Sequence, residues 1–222
     1  MRMSNLLDTM IAHSKLSKKQ TDKQQKLVET AIKIFAEKGF ANTSTSEIAQ
    51  TAGVSEGAIF RHYGNKENLL LSIVLPFLKE FLPNAIEETF NELLSQNPTT
   101  FEIFIRELIK NRVHFIHENK KLFQILVKEI LYREEFKKEM QPLYSENILQ
   151  HLTIVIEMFK ERGDLIEIPS SILLRMLLTF LGGYLISRFM VLNEDFIKDE
   201  EAELEEVVRF IMDGLRKPQQ SH

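Results

Sequence analysis

No cysteine occurs in the 222 residues, which excludes a disulfide framework and any thiolate metal site and suits a reducing, cytoplasmic compartment. Glycine and proline are scarce, eight and six in all, and period-two alternation is absent, so no strands are expected. No internal repeat is apparent. The first twenty residues hold only a broken apolar patch, Leu6–Leu7 and Met10–Ile11, interrupted by Asp8, and no signal peptide is read there. A membrane span needs about 20 uninterrupted apolar residues. The most apolar stretch, Ile172 to Leu192, has only twelve between Arg175 and Arg188. There is no nucleophile–base motif and no phosphate-cradling glycine loop, so neither an enzyme nor a cofactor is expected. His114 and His117 have an H-x-x-H spacing but no evident third ligand, and no metal is expected.

What is present is ample apolar material, 44% of residues, and an uneven charge. The net charge of -4 conceals a basic front: residues 14 to 66 carry nine Lys or Arg against five acids, hence +4. The first thirteen residues balance, so residues 67 to 222 carry -8. A polyanion would meet the front. Residues 1 to 20 are read as a flexible N-terminal arm with Lys15, Lys18 and Lys19.

A first helix is predicted over 22–38, capped by Thr21 and stopped by Gly39. The next stretch, Ser44 to Lys66, has the pattern of two short helices joined by a glycine turn. Ser44-Thr45-Ser46-Glu47 reads as a capping box. Ile48, Ala49 and Ala52 form an inner face, Gly53 takes the positive φ of the turn, Val54 plugs it, and Ser55 caps the third helix. Ile59 is the inward anchor of that helix. Glu56, Gly57, Arg61 and His62 are left for a groove or for phosphates. The helix starts at Ser44 and Ser55 present free N–H groups to an anion, and Arg61 can donate two bonds to guanine.

Gly39-Phe40, Thr43-Ser44, Ile48-Ala49, Ala52-Gly53-Val54-Ser55, Gly57, Ile59-Phe60, His62-Tyr63 and Lys66-Glu67-Asn68-Leu69 together resemble the N-terminal domain of the tetracycline-repressor (TetR/AcrR) family of bacterial transcription regulators. The resemblance covers roughly residues 24 to 70. It implies a dimer, phosphate contacts from Ser44, Thr45 and Ser46 and from His62, Tyr63 and Lys66, and base contacts from the helix Ser55 to His62, which includes Glu56, Gly57, Ala58, Phe60 and Arg61. Ala58 and Phe60 stand where the family commonly has threonine and tyrosine, so two hydroxyls are missing from this set.

A capped helix begins at Asn65, and Pro76 and Pro83 place a joint near 76 to 84. Further helices are predicted at about 84–96, 100–118, 120–133, 135–162, 169–192 and 199–216. The fold class is all-α, with a helix-turn-helix DNA-binding domain over 21–70 and a larger helical ligand-binding and dimerisation domain over 71–222. Arg112 falls on the apolar stripe of Phe101, Phe104, Ile105, Leu108, Ile109 and Ile116. Its partner is either an internal carboxylate, Glu129 or Glu157, or an anionic ligand. Candidate ligand-binding residues are Phe104, Leu108, Arg112, Phe115, Tyr132, Phe159, Phe180 and Tyr184.

Thr179, Gly183 and Ser187 repeat at four and, with Arg175 on the same helix, make a smooth surface for a second helix. Leu204, Val207, Val208, Ile211 and Leu215 form a seam on the last helix. The two helices resemble the family's dimerisation bundle, and the alternative is the monomer's own core. The expected protein is a cytoplasmic, ligand-responsive transcriptional regulator, a homodimeric repressor released from a pseudo-palindromic double-stranded DNA operator by a small apolar or amphipathic effector. The competing expectation is a helical interaction or scaffold protein without sequence-specific DNA binding.

Overall fold

The computed structural model describes residues 21–192 and 199–216; the N-terminal arm expected over 1–20 lies outside the described residues. The fold is all-α. Among the described residues there is no strand, only an isolated antiparallel bridge between Leu165 and Arg216.

The chain divides into two compact units, Met1–Leu82 and Pro83–His222. In the first, α1 (Asp22–Lys38) begins with a full capping box: Thr21 accepts from the Gln24 amide, and the Gln24 side chain reaches back to the Thr21 amide. Its stripe of Leu27, Val28, Ala31, Ile32 and Phe35 is buried, and it packs against α2 (Thr45–Ala52). Helix α2 in turn packs on α3 (Glu56–Tyr63). Ile48, Ala49 and Ala52 face inward from α2, and Ile59 is the buried residue of α3. Gly53, at φ 71°, supplies the left-handed turn between them and donates to the carbonyls of Ala49 and Gln50. A side chain other than glycine would be strained there.

Helix α4 (Lys66–Ser95) is helical through Pro76 and Pro83, and the two compact units divide between Leu82 and Pro83, within the joint expected near 76 to 84. Each proline removes a helix hydrogen bond, a cost of about 3 kcal/mol. The apolar face offsets this: Ile73, Val74, Phe77 and Leu78, then Ala85, Ile86 and Phe90, are all buried. The same burial carries the first unit past residue 70, so the boundary between units falls inside α4.

The second unit contains α5 (Phe101–Glu118), α6 (Lys120–Tyr132), α7 (Glu134–Leu143), α8 (Gln150–Glu161), α9 (Ser170–Ile186) and α10 (Glu200–Leu215). Two π-helical segments interrupt the regular winding, Tyr144–Leu149 just after Pro142 and Ser187–Val191 at the end of α9. The core is aromatic. Phe101 and Phe104 meet Phe159 with ring centroids 5.5 and 6.0 Å apart, and Phe90 stacks on Phe104 at 6.4 Å. Helix α10 packs on α5, and α8 on α9. The loop after α8 is tied at both sides: Asp164 accepts from the Phe101 amide at 3.0 Å, and Ile166 donates to the Leu215 carbonyl at 2.9 Å.

Candidate nucleic-acid interface and effector region

On α3 two of the polar side chains expected for a groove are exposed, and so is one apolar ring. Arg61 and His62 are exposed, Glu56 and Ala58 are half-buried, and Phe60 is 50% exposed. A Cβ built on Gly57 would meet nothing within 4 Å, so the fold itself has no need of glycine there. The open space lies on the outside, where a close approach to a partner would use it. Tyr63 is half-buried and burial pushes its hydroxyl up; its ring meets His62 edge-on at 6.4 Å.

The helix starts differ from expectation in three ways. Ser44 caps α2, accepting from the Glu47 amide at 3.1 Å. The reciprocal half of the box is not made, because the Glu47 carboxylate pairs with Lys38 of α1 instead. An opposite charge within reach outcompetes the neutral amide. Ser55 makes no side-chain cap hydrogen bond, which leaves its hydroxyl available along with exposed Ser46. Thr45 donates its hydroxyl proton to Glu56 Oε1 at 2.6 Å. A hydroxyl has one proton, so in this arrangement Thr45 does not donate to a phosphate.

Among the expected phosphate contacts, Lys66 also has partners within the chain. Its Nζ donates to the Phe40 carbonyl at 2.8 Å and to the Thr43 carbonyl at 2.7 Å. Two of its three donors are therefore spent tying the α1–α2 loop to the start of α4.

In the second unit, of the eight expected ligand residues, Tyr184 lines a described cleft. Phe104 and Phe159 are fully buried in the aromatic core and Leu108 is buried beside them in sequence on α5. Tyr132 is 81% exposed at the end of α6. Phe180 stacks on Phe210 at 4.9 Å. Tyr184 belongs to an ionic cluster: its hydroxyl donates to Glu203 at 3.1 Å and accepts from Arg188 at 3.2 Å, and Arg188 also pairs with Glu200 at 2.5 Å and with Glu203. This cluster borders a cleft of about 410 Å³ between α5, α9 and α10, lined also by Lys110, His114 and His117. Among the described residues no group of three or more His, Cys, Asp or Glu is placed to hold a metal.

Arg112 and Phe115 do come together, the guanidinium 5.2 Å from the ring centroid. Arg112 donates to the Asn111 side chain and, at 3.4 Å, to Thr89 Oγ1 of α4. Glu157 is exposed and pairs with Lys160 at 3.8 Å, and the side chain of Glu129 lies outside the described residues. Among the described residues no acid pairs with Arg112, and burial pushes its pKa down to about 10. Sequence reading missed Thr89, a buried hydroxyl with no periodic signal to mark it.

The expected dimerisation seam divides. Leu204, Val208, Ile211 and Leu215 are buried within the single chain, because α10 turns this face to α5. Val207 is half-buried. On α9, Arg175, Thr179 and Gly183 are exposed, Ser187 is half-buried, and a Cβ on Gly183 would meet nothing within 4 Å. The same helix exposes Ile172 at 40% and Met176 at 56%, and Phe210 of α10 is 66% exposed. The sequence hid these because α9 is apolar on nearly every side. The segment Ser170–Val191 has the length and hydropathy of a membrane-crossing helix, but it carries Arg188 into an ion-paired cluster.

Residues 27–73 match the family described as bacterial regulatory proteins, tetR family. Over 51 residues the chain is 47% identical to the HTH-type transcriptional regulator YerO of Bacillus subtilis, covering 23% of this chain and 18% of that protein. It is 26% identical over 149 residues to the regulator YuxN of the same organism, covering 64% of this chain and 48% of the relative. The chain thus spans less than half the length of these two relatives. Among solved structures, the Thermus thermophilus repressor FadR in complex with lauroyl-CoA shares the fold with a TM-score of 0.57 at 21% identity, over 90% of this chain and 99% of that one.

Proposed function

As this chain belongs to the tetR family of bacterial regulatory proteins, we propose that it is a cytoplasmic homodimeric repressor that leaves a pseudo-palindromic DNA operator when a small amphipathic effector binds. The observation that carries the reading is α3: Ile59 alone is buried, Gly57, Arg61 and His62 are exposed, and the fold itself has no need of glycine at Gly57. That is how a recognition helix of a helix-turn-helix reader is built. Arg61 and His62, with the free N–H groups at the starts of α2 and α3, supply the positive potential for a phosphate backbone.

One reader offers few contacts, so operator affinity depends on a second copy. The exposed Ile172, Met176, Thr179 and Gly183 at three- and four-residue spacing on α9, together with Phe210, support a helix-on-helix dimer face. Arg112 supports the effector reading. It is a half-buried cation with no acid paired to it among the described residues, suited to the anionic end of a small molecule, with Phe115 beside it for an apolar portion. Effector binding then works by population shift, favouring a dimer whose recognition helices no longer match major grooves spaced by about 34–36 Å or a multiple.

The test is selection of bound genomic fragments by the purified full-length protein, followed by titration in salt. Recovery of a palindromic site with steep salt dependence is expected. Retention of no fragment above background would leave the helical scaffold reading, which the exposed face of α9 equally suits.

A further inference from the structure

We infer that Glu56 reads a cytosine in the major groove of the operator, with Thr45 as its positioning residue; the inference rests on the DNA-binding reading of α3. Glu56 is the first residue of α3 and Thr45 the first of α2, and the bond from Thr45 Oγ1 to Glu56 Oε1, 2.6 Å long, joins the two helix starts. Among the described residues, Oε2 has no hydrogen bond or ion pair and no Lys or Arg pairs with the group.

A carboxylate at a phosphate-facing surface is repelled, so an acid held by a second residue at the N-terminus of a recognition helix has one favourable direction, toward base-edge donors. Guanine offers N7 and O6 and thymine O4, all acceptors. Adenine offers its N6 donor beside the N7 acceptor. Cytosine alone presents the N4 donor with no neighbouring acceptor, and a carboxylate is its natural partner. The exposed polar side chains of α3 are Arg61 and His62, and Ala58 has no hydrogen-bonding group. Glu56 is therefore the obligate acceptor of the set. A favourable interaction with the helix dipole accounts for an acid in the first turn but not for the bond to Thr45.

The experiment measures binding of the full-length protein, as wild type, Glu56→Ala, Glu56→Gln, Thr45→Val and Thr45→Ser, to a randomised duplex pool and then to duplexes changed one base pair at a time. Wild type should require cytosine at one position of each half-site, with about tenfold loss on replacement. Glu56→Ala should abolish that preference and leave the other positions as they were. Glu56→Gln should move it toward adenine, to which an amide is bidentate. Thr45→Val should weaken the preference and Thr45→Ser, which keeps the hydroxyl, restore it. A Glu56→Ala profile matching wild type, or a change uniform over all duplexes, overturns the assignment while leaving the DNA-binding reading intact. A wild type that selects no sequence overturns both.

Discussion

Lys66 holds Phe40 by two kinds of contact at once: its ammonium donates to the Phe40 carbonyl at 2.8 Å and lies 4.3 Å from the centroid of the same residue's ring. The ring in turn tilts against Phe35 of α1 at 5.3 Å. This arrangement changes what a lysine at the start of α4 is for. It closes the α1–α2 loop, and so sets where α2 begins.

Replacement of Lys66 by methionine should therefore lower the stability of the N-terminal unit by roughly 2 kcal/mol, the scale of charge-assisted hydrogen bonds to partly buried carbonyls. Urea unfolding followed by circular dichroism measures this. The slope of log affinity against log salt should stay at the wild-type value. A slope flattened by about one would return Lys66 to the phosphate contacts.

Arg61, exposed on α3, should behave in the opposite way. Arg61→Ala should leave thermal stability within about 0.5 kcal/mol of wild type and lose about 1–3 kcal/mol of discrimination at one guanine. Anisotropy titrations on base-substituted duplexes would show it; an equal loss on every duplex would make Arg61 a backbone contact.

Burial holds the folded pKa of Arg112 at about 10, below the ordinary guanidinium value. The unfolded chain thus binds more protons between those values, and stability from this group rises with pH only across that window. At neutral pH it is charged in both states and its burial is a net cost. Arg112→Met should accordingly raise stability by on the order of 1 kcal/mol and remove any thermal stabilisation by an alkyl carboxylate such as dodecanoate. Differential scanning fluorimetry with and without that probe reads both effects, and undiminished stabilisation of the variant would detach the effector from Arg112.

Met176, 56% exposed on α9, tests the dimer face. Met176→Glu should shift the wild-type dimer to monomer at micromolar concentration in analytical ultracentrifugation, with the helical content of the chain unchanged. Operator affinity should fall with it, since two half-sites are then bound independently. A dimer of wild-type strength would place the interface elsewhere.

Local chemistry was legible in the chain. The Thr21 cap, the Gly53 turn, the inward Ile48, Ala49, Ala52 and Ile59, and the exposed Arg61 and His62 follow from spacing and residue type, because caps, turns and amphipathic periods act over three or four residues. Tertiary structure decided whatever depended on a distant partner. Glu47 left its capping box for Lys38, Thr45 gave its proton to Glu56, and Lys66 turned to the Phe40 and Thr43 carbonyls. Pro76 and Pro83 left α4 helical because burial on both sides of them offset the lost hydrogen bonds, while the units still divide at Pro83, inside the joint the prolines marked. The seam of Leu204, Val208, Ile211 and Leu215 was apolar by pattern, but only packing against α5 assigned it to the monomer core. A periodic stripe specifies that a face is buried, and the surface that covers it is chosen by the rest of the chain.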